Sequence, residues 1–430
     1  MIIVDRKIKQ LAASGTPLNI GLFGAGYAGR GIVAQIMGCM PGLHVSVICN
    51  RTVDKARRAL LEAGVAADNI VEVSTISQLN RAIEQGQCAI TDDVHLACAS
   101  STTPVYIEVT GQVEYGAKVT LAAIEQGKHM VLLNAELDAT LGPLLNHEAQ
   151  KAGTLLTGCD GDQPAAQLNL YRFLQTIGLQ PLVCGNIKGL QDHYRTPETQ
   201  QAYAREWGQD PQMVTSFADG TKISFEQAIV ANATGMQVAQ RGMIGHEFKG
   251  HVDEMTHMYD VDQLRELGGI VDYVVGASPG PGIYILAEAL KPVQKQFLNY
   301  GKLGQGPLYS FYTPYHLTVL EAPLSAARAV LCDDVAIAPL AGPVVDVITT
   351  AKRDLKKGEI MDGLGGYMSY GQCENHKTVR AEKLLPMGLA EGCTLLRDIA
   401  KDEVLTLDDV KPPQDRLSWE LRAKQDALFS

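Results

Sequence analysis

The chain has 430 residues, a formal net charge of −11 and 46% hydrophobic residues. That length exceeds what one hydrophobic core ordinarily organises, so two or three domains are expected. The negative balance, with no basic cluster or tail, argues against nucleic acid and anionic membranes as partners; a small anionic substrate, which needs only a local basic pocket, is not excluded.

The nine cysteines stand singly and form no CxxC pair. An odd, scattered set argues against a disulfide framework, and several lie in apolar runs where a thiol acts as a small hydrophobe. The segment Met1–Lys7 has no signal-peptide apolar region, and no run approaches the ~18 apolar residues of a membrane span. A cytoplasmic, reduced protein is expected.

Taken in chain order, residues 5–14 read as a helix and Leu18 to Phe23 as a buried strand. After the glycine loop, Arg30 to Met40 carries Ile32, Val33, Ile36 and Met37 at helical spacing. His44 to Cys49 is the next strand and Val53 to Ala63 the next helix. Further strands are expected at Tyr106–Val109 and Met130–Leu133, with a helix at Ala117–Gln126. Alternation of this kind predicts a doubly wound α/β sheet of parallel strands, a Rossmann domain, over 1–165.

An α+β substrate domain is expected over 166–350: a strand at Gln180–Ile187, a hairpin about Phe217–Ile223 with an Asp-Gly turn, a helix from Phe225 to Ala233, and strands between Gly268 and Ala287. A small β-rich domain is expected over 351–430.

Gly24, Gly26 and Gly29 are spaced as GxGxxG, with Tyr27 and Ala28 between the last two. The first glycine permits the tight turn, the second clears space for a pyrophosphate, and the third lets helix and strand pack closely. The phosphates then meet the unpaired N–H groups of a helix N-terminus. The second strand ends Asn50-Arg51-Thr52, where an NAD-selective domain usually places a carboxylate on the ribose. Arg51 fits a 2′-phosphate instead, which favours NADP over NAD, unless it is only a solvated helix-start residue. Thr110, Gly111 and Asn134 complete the expected cofactor set.

Three stretches carry a resemblance: Gly127-Lys128-His129 running to Leu133-Asn134-Ala135-Glu136, then Asn232-Ala233-Thr234-Gly235, then Gly306-Pro307-Leu308-Tyr309 through Thr313-Pro314-Tyr315-His316-Leu317. They are similar to homoserine-dehydrogenase-like oxidoreductases with a C-terminal SAF domain, including the deoxyxylulose-phosphate reductoisomerase-like enzymes. The resemblance implies a dimer that couples rearrangement of a sugar skeleton to reduction by NADPH, and an SAF-like module in the tail. Two positions depart from it. Ala135 stands where homoserine dehydrogenases carry a catalytic lysine, and Thr313 where the reductoisomerase-like group has a basic residue.

Lys188 is the first candidate for polarising a carbonyl, with a surface lysine as the plain alternative. Glu136 and Asp138 follow a strand at the carboxyl edge, where ligands bind or helices are capped, and Glu136 is a candidate base. Tyr315 and His316 are further catalytic candidates, with Tyr312 and Glu321 beside them as substrate groups. Asp162, His193, Arg195 and Asn232 complete the substrate set; Arg195 is the anion anchor, and a metal at Asp162 and Glu136 stays open. Lys222 and Glu226, four apart, read as a structural ion pair. The reading is an NADP-dependent oxidoreductase acting on a sugar-like hydroxy-carbonyl compound. Its rivals are a deoxyxylulose-phosphate reductoisomerase, a homoserine-dehydrogenase-like enzyme and a non-catalytic nucleotide- or carbohydrate-sensing protein.

Overall fold

A computed structural model describes residues 4–430, which divide into two compact units, each discontinuous in sequence. The first comprises 4–162, 317–338 and 420–428, and the second 163–316, 339–419 and 429–430.

The first unit is built on seven strands: β1 Leu18–Phe23, β2 Leu43–Cys49, β3 Ile70–Glu72, β4 Cys88–Thr91, β5 Val105–Glu108, β6 His129–Leu132 and β7 Leu156–Gly158. They lie in the order β3-β4-β2-β1-β5-β6-β7, and all pairs are parallel. The strands are covered on both faces, which is why they read as near-continuous apolar runs: Ile20, Leu22, Val45, Val47, Ile48 and Ile107 are all fully buried. The chain leaves β1 towards β2 on one side and returns to β5 on the other. That reversal opens a crevice beyond the carboxyl ends of β1 and β5. The expected α/β doubly wound sheet is therefore present. The short β3, β4 and β7 were not among the expected strands.

Two late segments complete this unit. Helix Thr318–Cys332 buries Ala322, Ala326 and Ala327 in the core that holds Ile20, Leu22 and Ile32. Helix Leu417–Leu428 brings Gln425 into the helix Ala135–Lys151, where its amide accepts from Leu144 N (3.0 Å) and donates to Thr140 O (3.1 Å). Those are the groups that would otherwise bond to one another across a helical turn, beside Pro143. The compact grouping thus differs from a linear division at 165 and 350, because 317–338 and 420–428 bury their apolar faces on the parallel sheet.

The second unit holds a mixed sheet of β8 Leu179–Lys188, β9 His246–Glu247, β10 Ile270–Val275, β11 Gly282–Ala289 and β12 Leu308–Thr313, in the order β12-β11-β8-β10-β9. Strands β8, β9 and β10 are parallel; β11 is antiparallel to both β8 and β12. Helix Thr221–Thr234 buries most of its circumference, Ile223, Phe225, Ala228, Ile229 and Val230 included. A helix apolar all round must be covered on several sides. Segment 339–419 adds strands β13 Val345–Ala351 and β14 Ser369–Asn375 and a core of Leu355, Met361, Leu385, Cys393 and Leu405.

One expectation fails here. Phe217–Ile223 is not a hairpin: helix Pro211–Ala218 ends at Asp219, and Gly220, at φ +94°, opens helix Thr221–Thr234. Asp210 caps the earlier helix through Gln212 N at 2.9 Å, and Pro211 supplies a first-turn φ. The Asp-Gly pair makes a turn as predicted, but it joins helices.

Candidate functional site

Each glycine of the loop after β1 has a distinct steric role. A Cβ on Gly29 would lie 2.5 Å from the Gly24 carbonyl oxygen, so the helix Tyr27–Cys39 can approach the strand only without it. Gly24 has φ +109°. A Cβ on Gly26 would meet nothing within 4 Å, which leaves open space at the helix N-terminus. Gly26 is the N-cap and supplies no side-chain acceptor, so the first N–H groups remain available to an anion. Tyr27 is half exposed beside them.

Asn50 holds this loop in place. Its Oδ1 accepts from Ala25 N at 3.0 Å, while its Nδ2 donates to Thr52 O at 2.7 Å. Arg51 lies over the ring of Tyr115, 5.2 Å from its centroid, and donates to Gln112 Oε1 at 3.3 Å. Beside this segment a cavity of about 490 Å³ is lined by Val53, Thr91, Asp92, Asp93 and Leu96, among others. Its size falls within the ~300–1,000 Å³ of small-molecule sites. These features fit a dinucleotide, whose pyrophosphate the glycine loop would hold.

The second wall of the crevice follows β5. Glu108 is fully buried, and its Oε1 accepts from Thr110 N (2.8 Å) and from the Thr110 hydroxyl, which holds the turn at Gly111. Among the described residues its Oε2 has no hydrogen-bond partner. Burial pushes the Glu108 carboxyl up to about 7, against the pull of the Thr110 hydrogen bonds. Sequence reasoning missed Glu108 because it sits within an apolar strand, with no spacing to single it out. Asn134 caps helix Ala135–Lys151 through Leu137 N and donates to Gln112 O at 3.0 Å, so it ties the two loops together. Glu136 and Asp138 are both buried in the first turn of that helix. Burial, then the charge of Asp162, raises Asp138 to about 7. Glu321, raised by burial and by Asp160, opens helix Thr318–Cys332 in this same unit. Among the described residues no group of three His, Cys, Asp or Glu side chains is placed to hold a metal ion.

In the second unit Lys188 ends the central strand β8 and donates to Phe217 O at 2.7 Å. Burial lowers its ammonium pKa, and the carboxylates of Glu226 and Asp219 act against that. Asn186, two residues back on the same strand face, donates to Glu226 Oε2 at 3.0 Å. Gln167 in turn donates to Asn186 Oδ1 (2.6 Å) and Gln227 Oε1 (2.8 Å). Asp219 forms a buried ion pair with Lys352 at 2.7 Å, and Lys352 also donates to Arg195 O and Gly366 O. Lys222 and Glu226 lie four apart on helix Thr221–Thr234, and Glu226 accepts from Asn186. Asn186, Gln167, Asp219 and Lys352 were missed: amides and paired charges carry no motif.

The sheet register gathers other candidates at the end where Lys188 lies. Gly282 pairs with Ile187 and Ile283 with Thr313, so Tyr312, Tyr315 and His316 follow the same edge. Tyr312 meets the His251 ring edge-on at 5.4 Å, and Tyr315 is largely exposed. His316 Nε2 is 3.1 Å from Gln163 Nε2, while its Nδ1 is buried without a partner. His193 donates from Nδ1 to Asp219 O at 2.8 Å and stacks on Tyr370. Arg195 is ion-paired with Asp192 at 3.0 Å. Asn232 is occupied by the backbone: its Oδ1 accepts from Val344 N and Val345 N. The sequence cluster 312–321 is thus divided, with Glu321 in the other unit.

Two of these features predict separable outcomes. Gly26→Ala is expected to keep the melting temperature and to weaken dinucleotide binding, measured by fluorescence titration. Gly29→Ala, whose Cβ displaces the helix, is expected to lose ~1–3 kcal/mol of stability as an overpacked site does.

Glu108 gives a pH-dependent expectation. Its folded-state pKa lies above the unfolded value, so the folded state binds the extra proton. Stability therefore falls as pH rises from about 4.5 to about 7. Glu108→Gln keeps an acceptor for Thr110 and does not ionise. Thermal melts should show it stabilising the protein at pH 8, by as much as about 3 kcal/mol, and having little effect at pH 4. Equal effects at both pH values would contradict this.

Comparison with known proteins bears on the second unit above all. Residues 161–322 match the family model described as oxidoreductase DRL, catalytic domain. No curated protein sequence matches the chain. Among solved structures, 1-deoxy-D-xylulose 5-phosphate reductoisomerase from Zymomonas mobilis in complex with NADPH is similar at 14% identity, with TM-score 0.40 over 73% of this chain and 71% of that one. The UDP-N-acetylglucosamine 3-dehydrogenase GnnA from Acidithiobacillus ferrooxidans is similar at 11% identity, with TM-score 0.41 over 75% of this chain and 92% of that one. GenD2 from gentamicin A biosynthesis, in complex with NAD, is similar at 11% identity, with TM-score 0.39 over 75% and 89%. With a catalytic-domain match over 161–322 and a dinucleotide-type parallel sheet before it, the chain is an oxidoreductase.

Proposed function

We propose that this oxidoreductase uses NADP and reduces, or oxidises, a sugar-like hydroxy-carbonyl compound, with rearrangement of the carbon skeleton as one form of the reaction. The observation that carries the reading is Lys188, an ammonium at the end of a central strand that donates to the Phe217 carbonyl beside the carboxylates of Glu226 and Asp219, within the segment matched to an oxidoreductase catalytic domain. A nicotinamide, when bound, supplies or accepts the hydride. The chain's part is to polarise the carbonyl: the Lys188 ammonium stabilises the alkoxide that forms as hydride arrives. Glu226 and Asp219 favour its charged form despite burial. Tyr312, Tyr315 and His316 suit recognition of hydroxyl groups and proton exchange with them, and Glu136 is the candidate base. Asp162, His193 and Arg195 stay in the proposed substrate set.

For the cofactor, Thr110, Gly111 and Asn134 line the nicotinamide half, and Arg51 prefers a 2′-phosphate. We retain a cytoplasmic homodimer, the three-part division at 165 and 350, and an SAF-like character for 351–430 as parts of the same proposal. Turnover of 1-deoxy-D-xylulose 5-phosphate would move the reading to that reductoisomerase. Binding of NADPH with no turnover across sugars and sugar acids would move it to a sensing protein.

Arg51→Ala should raise the KM for NADPH ~10- to 100-fold and leave that for NADH unchanged, the size of a lost charge-assisted hydrogen bond. Equal effects on both cofactors would reject the NADP assignment.

Lys188→Met should lower kcat by ~10²–10³, as loss of one oxyanion donor does, with the KM for NADPH unchanged. In the unmodified enzyme the basic limb of the pH–rate profile should fall below the ~10.4 of an ordinary lysine, and it should vanish in the variant. An unchanged rate would remove Lys188 from the mechanism.

A further inference from the structure

Helix Pro292–Tyr300, between β11 and β12, has no buried residue. A helix of nine residues is marginal on its own, so it needs a surface to pack on. Its inner side is fixed mainly by polar contacts: Gln294 donates to Ile177 O and Gly178 O at 3.2 and 2.9 Å. Its outward face carries an apolar stripe beside the exposed Lys295 and Gln296. Val293, Phe297 and Tyr300 follow the i, i+4, i+7 spacing of one stripe and are 55%, 65% and 85% exposed. Leu290 precedes the stripe, and Phe173 and Ile177 flank it from the preceding helix and the turn after it; all three are about half exposed. Together these six side chains expose on the order of 700 Å², above the ~300–600 Å² of the largest patch on a typical monomer and close to the ~800 Å² each partner contributes to a standard interface.

We propose that this face is where a second copy of the chain docks, helix 292–300 against its equivalent, with Phe297 near the two-fold axis. The area matches what a stable dimer needs, and the residues are those that dominate interface cores. In a two-fold contact the same patch serves both partners, so a self-complementary apolar stripe suffices. The rim is positive. Residues 289–320 contain no Asp or Glu, whereas Lys291, Lys295 and Lys302 all fall there. Two copies therefore bring like charges together at the margin, and apolar burial holds them against that repulsion. Salt screens the rim without weakening the centre, so the dimer tightens as ionic strength rises. An acidic protein or an anionic lipid surface would show the opposite dependence.

The test is sedimentation velocity on the full chain through a dilution series at low and high salt, with circular dichroism as a check of folding. The unmodified protein should be dimeric, and more firmly so at high salt. Tyr300→Glu, at the most exposed position, should raise the dimer dissociation constant at least ~30-fold, as should Phe173→Glu on the neighbouring helix, which is hot-spot magnitude. Ile360→Glu, exposed in the same unit but outside the patch, should change nothing. A monomer at every concentration overturns the proposal, as does a dimer that both patch variants leave intact. A monomer that sediments with phosphatidylserine vesicles at low salt overturns it too, and assigns the face to lipid. None of these outcomes depends on which substrate the enzyme turns over.

Discussion

The carbonyl oxygen of Gly24 lies 2.5 Å from where a Cβ on residue 29 would stand, and a Cβ on Gly24 would itself meet Val109 O at 3.1 Å. Strand, helix and the loop after β5 therefore meet at van der Waals distance, with the Val109 side chain packed against both glycines. This close approach fixes the helix N-terminus relative to both central strands, so the crevice has a defined width. Asn50 and Asn134 then set its two rims by bonding to neighbouring loops rather than to solvent. Glu108 holds the Thr110 turn from beneath at the cost of a buried carboxyl. A preorganised anion site of this kind need not reorganise when a pyrophosphate arrives.

The second unit solves a different problem, which is to keep charge inside a core. Lys352 spends its three N–H donors on Asp219, Arg195 O and Gly366 O, so it is a fully satisfied structural cation. Lys188 shares the same carboxylate neighbourhood, but among the described residues its hydrogen-bond acceptor is the Phe217 carbonyl alone. The contrast separates an ammonium that holds the fold from one with donors to spare. Buried ions are tolerated only when paired and hydrogen-bonded, and the chain from Gln167 through Asn186 to Glu226 supplies that order.

Legibility in the sequence followed the range of the interactions. The strands β1, β2, β5, β6 and β8 and the glycine loop announce themselves through local spacing, and the doubly wound sheet follows from them. Asp219-Gly220 announced a turn but not its flanks, because an Asp-Gly pair serves helices and hairpins alike and only the Asp210 cap decides between them. Asn50 was legible as the end of β2; its use as a clamp on Ala25 was not, since that bond spans 25 residues. The return of 317–338 and 420–428 to the first unit rests on contacts such as Gln425 with Thr140, which no window of sequence contains. Glu108 and the Asn186–Glu226 network were hidden for the same reason: a buried polar residue is defined by partners far along the chain.

The two units also divide what can be inferred about the substrate. The crevice of the parallel sheet obeys rules shared by dinucleotide sites at large, so it speaks for the hydride carrier alone. The match over 161–322 covers β8 to β12, and the cations at the carboxyl end of β8 lie beside carboxylates. Lys188 lies beside Glu226 and Asp219, Asp219 is also paired with Lys352, and Arg195 is ion-paired with Asp192. Recognition of a phosphate calls for cations not already compensated, because each new anion must outweigh the loss of its own hydration. A lining of paired charges with tyrosyl, imidazole and amide groups at its edge suits many weakly polar hydroxyls better than one concentrated charge. Under the proposed function, this pairing and Thr313, at a position where the resemblance implies a basic residue, are the grounds for preferring a hydroxyl-rich carbonyl compound to a sugar phosphate.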